Sequence, residues 1–444
     1  MSADHSVDRS TALYERARRA IPGATHLFGR RAELGARGVS PIFSARQSGG
    51  RFWDVDDNEY VDLLMGCGAV ILGHAYPPIV EAVREQALRG TGITINHPLE
   101  VELAEALIDI IPCADMIRFC KGGGEADLIA IRIARGATGR DKVAFCGYHG
   151  WHDWYLAANL ADETTLNAHL LPGITPTGVP KALTGTALPF EFNNTESLEQ
   201  VLLENEGEIA AIIMEASRSF IPEPGFLESG RELATKHGCV LIFDEVVTGF
   251  RLALGGAQEY YDVTPDMSTY AKTISNGFAL GAVAGKREVM ECAGDMFISS
   301  VYWAEATGLA AGLASVKAMQ DIDAPALVWD RGRKFMDGLE SAISDTGVPC
   351  ECVGLAPSPF AIFKHEDPET NDAIVTLYMQ EMARRGVFAA GVNYLCVEHS
   401  DSDLQQVTDA MAETFGVIRK GLEAGDVHAL LDCPVRQSGF KRLV

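Results

Sequence analysis

Two acids close an apolar run at Cys239-Val-Leu-Ile-Phe-Asp244-Glu245. The run predicts a buried strand, and ligand groups gather at the carboxyl ends of strands in open parallel sheets. A carboxylate there suits magnesium, a ribose or a protonated ring nitrogen; a charged loop after a strand is the plainer alternative. Lys272 follows in Tyr270-Ala-Lys272-Thr-Ile-Ser-Asn-Gly277. Its apolar and small neighbours predict partial burial, which lowers an amine's pKa and suits it to Schiff-base chemistry. A third stretch, Phe119-Cys-Lys-Gly122-Gly123-Gly124-Glu125, sets three glycines between a strand and a helix running from Ala126 to Arg135. Amides exposed at a helix N-terminus bind anions. It is no Walker loop, because no Gly-Lys-Ser/Thr follows, and the dinucleotide spacing fails at Asp127. The fourth stretch, Cys146-Gly-Tyr148-His149-Gly150-Trp151, places aromatics beside glycine after a strand, where they can form a stacking wall for a planar ring.

Together the four stretches ask for one ligand: a planar heteroaromatic ring bearing a phosphate and an amine-reactive carbonyl, with an acid for its nitrogen. Pyridoxal 5′-phosphate meets all four demands. No metal ligand set is needed.

These residues need a scaffold that brings strand ends together. Apolar strands are predicted at Met116–Cys120, Lys142–Cys146, Ile209–Met214 and Cys239–Phe243, with helices after Glu125 and Phe226. Alternation of this kind predicts an α/β fold with a largely parallel sheet and helices on both faces. Before it come a helix over 10–21 closed by Pro22-Gly23, a loop-rich segment to about 50 and two short strands within Arg51–Leu64. A helix follows from Pro77 to about Arg89, with Ile79, Val80, Ala82, Val83 and Ala87 on its inner side. Beyond 320 the pattern becomes mixed, with helices near 325–345, 370–385 and 402–422. The expected division is a large domain over 76–320 and a small α+β domain over 321–444, joined by the N-terminal segment 1–75.

Composition narrows the partners. The 444 residues hold 61 acids and 37 Lys and Arg, a net charge of −24. Nucleic acid and anionic membranes call for the opposite balance. No stretch reaches the ~20 apolar residues of a membrane helix. The N-terminus lacks the apolar core of a secretory signal. The ten cysteines fall singly, without zinc spacing, and are expected as reduced thiols in a cytoplasmic protein.

The sequence resembles the class III (ω-type) aminotransferases of fold type I, the aspartate aminotransferase-like fold. Within them it is most similar to glutamate-1-semialdehyde aminomutase and its aminotransferase relatives. The resemblance runs from about Ile21 to about residue 420. It is carried by Ile242-Phe-Asp-Glu-Val-Val-Thr-Gly-Phe-Arg251, Ala271-Lys-Thr-Ile-Ser-Asn-Gly277 and Gly147-Tyr-His-Gly150. It is also carried by Ala134-Arg-Gly-Ala-Thr-Gly-Arg140, Ile71-Leu-Gly-His74 and Pro224-Gly-Phe-Leu-Glu228. The resemblance implies that Lys272 carries the cofactor and moves the substrate proton. Asp244 would pair with the ring nitrogen, and Tyr148 and Val247 would pack the two ring faces. Gly122, Gly123 and Gly124 would hold the phosphate, Glu215 would lie near cofactor and substrate, and Arg30 would hold a substrate carboxylate. It further implies a homodimer with shared sites, in which Ser300 reaches the partner's phosphate.

Several positions depart from the family pattern. Gly122–Gly124 replaces the usual Ser-Gly-Thr, so backbone amides must carry more of the phosphate. Val301 stands where a threonine is usual, hence Ser300 as its substitute. Against the aminomutases, Leu27 replaces a serine and Cys67 a tryptophan. The stretch Glu215–Pro222 is about four residues shorter than their gating loop, and Gly391-Val-Asn-Tyr-Leu lacks their substrate-site glutamate. A mutase must retain its intermediate while the two amines exchange, and a short lid makes that harder. The expected activity is therefore transfer between an amine or amino acid, carboxylate-bearing, and a separate keto or aldehyde acceptor through pyridoxamine phosphate. An aminomutase, racemase or decarboxylase on the same scaffold is the alternative; a non-catalytic cofactor-binding protein is the remote one.

Overall fold

The computed structural model describes residues 6–170 and 172–440. The chain divides into two compact units, Pro77–Ala326 and the pair Met1–Tyr76 with Leu327–Val444.

In the discontinuous unit, the helix Asp8–Ala20 buries Ser10, Tyr14 and Ala17, the spacing of one helical face. It ends at Ile21, where the following Pro22 disfavours helical backbone. Three antiparallel strands follow: β1 (Ser44–Ser48), β2 (Arg51–Asp54) and β3 (Glu59–Asp62). Asp54 shapes the β2–β3 turn, its Oδ1 accepting from the amides of Asp56 at 2.9 Å and Asn58 at 2.8 Å. β1 lies inside the segment expected as loop. Every one of its residues is exposed, so no alternation marks it, and pairing with β2 is what makes it a strand.

The continuous unit is built on a seven-stranded sheet. Its strands are β4 (Met116–Cys120), β5 (Lys142–Cys146), β6 (Ala187–Pro189), β7 (Ile209–Met214), β8 (Val240–Asp244), β9 (Met267–Tyr270) and β10 (Gly281–Gly285), in the order β4-β10-β9-β8-β7-β5-β6. β10 runs antiparallel to both neighbours, and the other pairings are parallel. The carboxyl ends of the remaining six strands therefore share one edge. β10 lacks bulk because it has no room for it: a Cβ on Gly281 would lie 2.8 Å from the Cys120 sulfur, and one on Gly285 2.8 Å from Met267.

β7 and β8 are buried along their whole length, as expected of strands covered on both faces. On one face, Val143, Phe145, Ala211, Ile213, Val240 and Ile242 form a core with Ile129, Ala130 and Ile133 of the helix Gly123–Thr138. Leaving apolar area of this extent out of water is worth roughly 25 cal/mol per Å², which fixes the helix on the sheet and its N-terminus at the strand ends. The helix Pro77–Arg89 departs from expectation in its inner face. Ile79 and Gln86 are buried, Ala82 and Val83 partly so, and Val80 and Ala87 are exposed. The stripe follows i, i+3, i+4, i+7, and Val80 and Ala87 each lie one position past it. Gln86 is drawn in because its amide caps the helix end at the Gly90 carbonyl, 2.9 Å away.

The rest of the discontinuous unit comprises the helices Ala324–Thr346, Pro368–Arg384 and Asp401–Ala424, the hairpin β11 (Cys350–Val353) with β12 (Phe360–Phe363), and β13 (Val387–Phe388). β13 pairs in parallel with β3, Val387 opposite Val61, so a late strand completes the N-terminal sheet. All ten cysteines are free thiols. No helix among the described residues is long and apolar enough to cross a membrane.

Candidate active site

The strand ends gather most of the chemistry. Asp244 is the last residue of β8 and lies opposite Thr269 of β9, so Lys272, just beyond β9, follows on the neighbouring strand. Glu215 follows β7, whose Met214 pairs with Phe243. Tyr148 and His149 follow β5. The glycines follow β4: Gly122 is the N-cap of the helix Gly123–Thr138, and no side chain caps it.

Lys272 is half-buried between buried neighbours. Its φ of +51° is left-handed, a region that residues other than glycine seldom occupy. The surrounding turn enforces it. The Thr273 hydroxyl donates to the Gly249 carbonyl at 2.7 Å, and Ile274 N–H to Ala271 at 3.2 Å. Such strain concentrates at functional positions.

Asp244 is buried and fully engaged. Its Oδ1 accepts from Val246 N–H at 3.0 Å, and its Oδ2 lies 2.9 Å from His149 Nδ1. His149 Nε2 faces the Cys146 carbonyl at 3.1 Å, and a carbonyl only accepts, so Nε2 carries a proton. Asp127 completes the group: one donor atom each of Asp127, His149 and Asp244 lies within 4.8 Å of the others. Neither His149 nor Asp127 carried a role in the sequence reading. His149 stood inside a quoted motif, and Asp127 was an acid inside an otherwise apolar helical run; their partners lie 95 and 142 residues away. Glu245, the other acid of the strand end, serves elsewhere. It accepts from the Thr248 hydroxyl and from the amides of Ala257 at 2.8 Å and Gln258 at 3.0 Å, and burial pushes its pKa up to about 7.

The glycine loop is packed by backbone. A Cβ on Gly124 would lie 3.2 Å from Gly150 Cα, and one on Gly150, at φ +90°, would lie 2.7 Å from Gly124 Cα. A Cβ on Gly123 would meet Val246 at 2.9 Å, whereas Gly122 has open space. The loops after β4, β5 and β8 thus close on one another only because these positions are glycine. Glu125, in the first turn, folds back to accept from Lys121 N–H at 2.8 Å and also accepts from the Trp303 indole at 2.9 Å.

Tyr148 is half-buried; its N–H donates to Glu215 Oε2 at 2.9 Å, and its ring meets Tyr155 edge-on at 6.1 Å. Burial raises its phenol pKa. The same Glu215 oxygen lies 3.4 Å from Arg218. Val247 is half-buried in the turn after Asp244, its carbonyl accepting from Arg251 at 3.0 Å. Ser300 is exposed between Phe297 and Val301. Arg30 belongs to the discontinuous unit, exposed at the end of a short 3-10 turn, Phe28–Arg30.

The donor set fits a phosphorylated pyridine aldehyde. An uncapped helix N-terminus offers free amides to a phosphate, a buried acid braced by histidine suits a ring nitrogen, and a half-buried lysine suits a carbonyl. Residues 34–358 match the family Aminotransferase class-III. The chain is a class-III aminotransferase. It is 34% identical over 424 residues to the 3-aminobutyryl-CoA aminotransferase of Cloacimonas acidaminovorans, covering 93% of this chain and 98% of that one. It is 35% identical over 428 residues to a glutamate-1-semialdehyde 2,1-aminomutase of Syntrophobacter fumaroxidans, covering 92% and 97%. Among solved structures it resembles the FumI protein of Sphingopyxis sp. MTA144 in its PLP internal aldimine form, with TM-score 0.86 and 25% identity over 95% of this chain and 99% of that one. This class-III enzyme is therefore a pyridoxal 5′-phosphate-dependent aminotransferase of fold type I, acting on a small-molecule amine donor and a keto acceptor.

Proposed function

We propose that the enzyme moves an amino group from a carboxylate-bearing amine to a separate carbonyl acceptor, rather than between two carbons of one substrate. The observation that carries this reading is the return after β7. Ser217 Oγ and Arg218 N–H both donate to the Phe220 carbonyl, at 3.3 and 3.2 Å, so the chain turns back within six residues. A loop this tight has little length with which to cover a substrate through two successive exchanges. At Gly391–Leu395, where an aminomutase needs an acid, this enzyme has Asn393, buried.

When bound, pyridoxal phosphate supplies an amine-reactive aldehyde and a ring that accepts the electrons of the broken C–H bond. Lys272 Nζ would hold the cofactor by its aldehyde and, once freed as an amine, would take the proton from the substrate carbon. Asp244, braced by His149, would keep a proton on the ring nitrogen. The amides of Gly122, Gly123 and Gly124 would take the phosphate. Tyr148 and Val247 would pack against the ring from its two sides, while Glu215 holds Tyr148 in place through its N–H. Arg30 would take the donor's carboxylate.

The reading includes a cytoplasmic homodimer with shared sites. Ten free thiols accord with a reducing compartment. Exposed Phe297, Val301 and Tyr302 around Ser300 suit a surface that a second copy covers. That segment is tethered beside the glycine loop of its own chain, Trp303 to Glu125 at 2.9 Å and Arg118 to the Ile298 carbonyl. The deciding experiment presents a panel of amines to the cofactor-loaded enzyme without acceptor. Intermolecular transfer stops after one equivalent of amine and resumes on addition of a keto acid; continued isomerisation without acceptor overturns the proposal. Light scattering on the active enzyme tests the dimer.

A further inference from the structure

A single acid suffices for the ring nitrogen, yet a second carboxyl stands beside it. Asp127 is the fifth residue of the helix Gly123–Thr138 and is 1% exposed. Its carboxyl lies within 4.8 Å of both Asp244 and His149, and its Oδ1 accepts from the Thr269 hydroxyl at 2.6 Å. The charged groups that face it are Asp244 from β8 and Glu215 from the end of β7, both acids. Thr269 of β9 is neutral, and β10 contributes only Gly-Ala-Val-Ala-Gly. Cys120 of β4 is a buried thiol held neutral. The Tyr148 phenol is likewise held neutral by burial. His149 is the one basic side chain in the trio.

The proton count follows from these partners. His149 Nε2 must donate to Cys146, so the remaining proton of the pair sits between His149 Nδ1 and Asp244 Oδ2. Imidazolium with carboxylate, or imidazole with carboxylic acid, each leaves that pair neutral overall. Before the cofactor's ring nitrogen is bound, an ionised Asp127 would then be an uncompensated charge out of water, next to another acid. Two carboxyls so placed do not both ionise. Burial and Asp244 both push the Asp127 pKa upward.

We propose that Asp127 is a neutral carboxylic acid whose proton is directed at Asp244, making it a positioning residue that fixes Asp244 and tempers its basicity toward the ring nitrogen. Asp244 then has three donors around it, His149, Val246 N–H and Asp127, and is a poorer acceptor for the ring nitrogen's proton. The inference rests on the reading that Asp244 faces that nitrogen. Two of its readouts, infrared and stability, require neither turnover nor that reading.

The test compares Asp127→Asn and Asp127→Leu with the parent holoenzyme. Asn keeps a neutral donor of the same shape; Leu keeps the volume without a donor. Infrared spectra of the parent are expected to contain a protonated-carboxyl band that Asp127→Asn removes. Above the ordinary carboxylate pKa of about 4, Asp127 makes the parent lose stability as pH rises, because the folded chain retains a proton that the unfolded chain has released; buried Glu245 adds to the same slope. Asp127→Asn is expected to flatten that slope. Turnover of Asp127→Asn is expected within about threefold of the parent, and that of Asp127→Leu lower by about tenfold or more, the scale of one hydrogen bond to a charged group. Absence of the band, an unchanged pH slope in Asp127→Asn, or equal loss of turnover in both variants overturns the proposal. Should Asp127→Leu fail to fold, the band and slope in Asp127→Asn still decide it.

Discussion

Glu215 and Asp244 stand at the carboxyl ends of neighbouring strands, and the protein surrounds them differently. Both carboxyls are buried. Asp244 is met by His149, itself without solvent exposure, while Glu215 is met by Arg218, whose side chain is 38% exposed. The Asp244 charge is therefore set by partners that water does not reach. The Glu215 charge is balanced by a guanidinium that water and salt both reach, and such a pair is worth little in stability. The same residue type thus stands sealed among buried partners in one place and beside a guanidinium that solvent reaches in the other.

Lys272→Ala sets the zero against which both acids are read. It should abolish turnover and the reducible covalent link to the cofactor while the protein remains folded, since Lys272 is only half-buried. A surviving covalent link, checked by borohydride reduction and mass spectrometry, would place the cofactor on another lysine. Lys121 is poorly suited, being paired with Glu305 at 3.3 Å.

Asp244→Asn comes next. It would remove the carboxylate that His149 braces and that, in the proposed role, holds the ring nitrogen's proton. We expect a loss of about a hundredfold or more in kcat, the scale of a preorganised electrostatic group, with the cofactor still bound. A loss under about threefold, measured by steady-state kinetics, would make the sealed acid no more important than the rim acid and erase the contrast.

The contrast also governs what could be read from the chain. The place of Asp244 at a strand end was legible because it closes the apolar run Cys239–Phe243. Lys272 stood out by its small and apolar neighbours, but the strand before it, Met267–Tyr270, did not, because Ser268 and Thr269 interrupt its apolar character. The glycines were legible because three in succession before an amphipathic stretch have few other uses. His149 and Asp127 were not, because what draws them into the cluster is a partner from another strand, brought close only by the sheet order. β10 was missed for a related reason: Gly281–Gly285 is short and small, carries no pattern of its own, and is a strand because it pairs with β4 and β9 on either side. β1 needed β2 in the same way.

Arg30→Ala tests where the donor's carboxylate is held. An Arg–carboxylate contact carries about 1.5–3 kcal/mol, so KM for a carboxylated donor should rise roughly ten- to a hundredfold. The decarboxylated amine should be nearly unaffected. Equal effects on both, in paired kinetics, would make Arg30 structural and leave Arg218 as the cation to examine, which would turn the rim pair into the substrate contact.

The smallest effects separate the two jobs of Glu215. Its Oε2 accepts from Tyr148 N–H at 2.9 Å and faces Arg218 at 3.4 Å. Glu215→Gln keeps an acceptor for the amide and loses the ion pair; Glu215→Ala loses both. If the ion pair is as weak as the exposure of Arg218 implies, Glu215→Gln should cost under about 1 kcal/mol in stability and leave cofactor affinity close to the parent's. Glu215→Ala leaves the Tyr148 amide without its partner and frees the loop that carries Tyr148 and His149, so it should weaken cofactor binding several-fold. Cofactor titration and thermal melts of the two variants decide the matter. The opposite ranking, or a large loss in Glu215→Gln, would mean that the charge and not the hydrogen bond matters. The rim acid would then be as tightly bound into the site as Asp244.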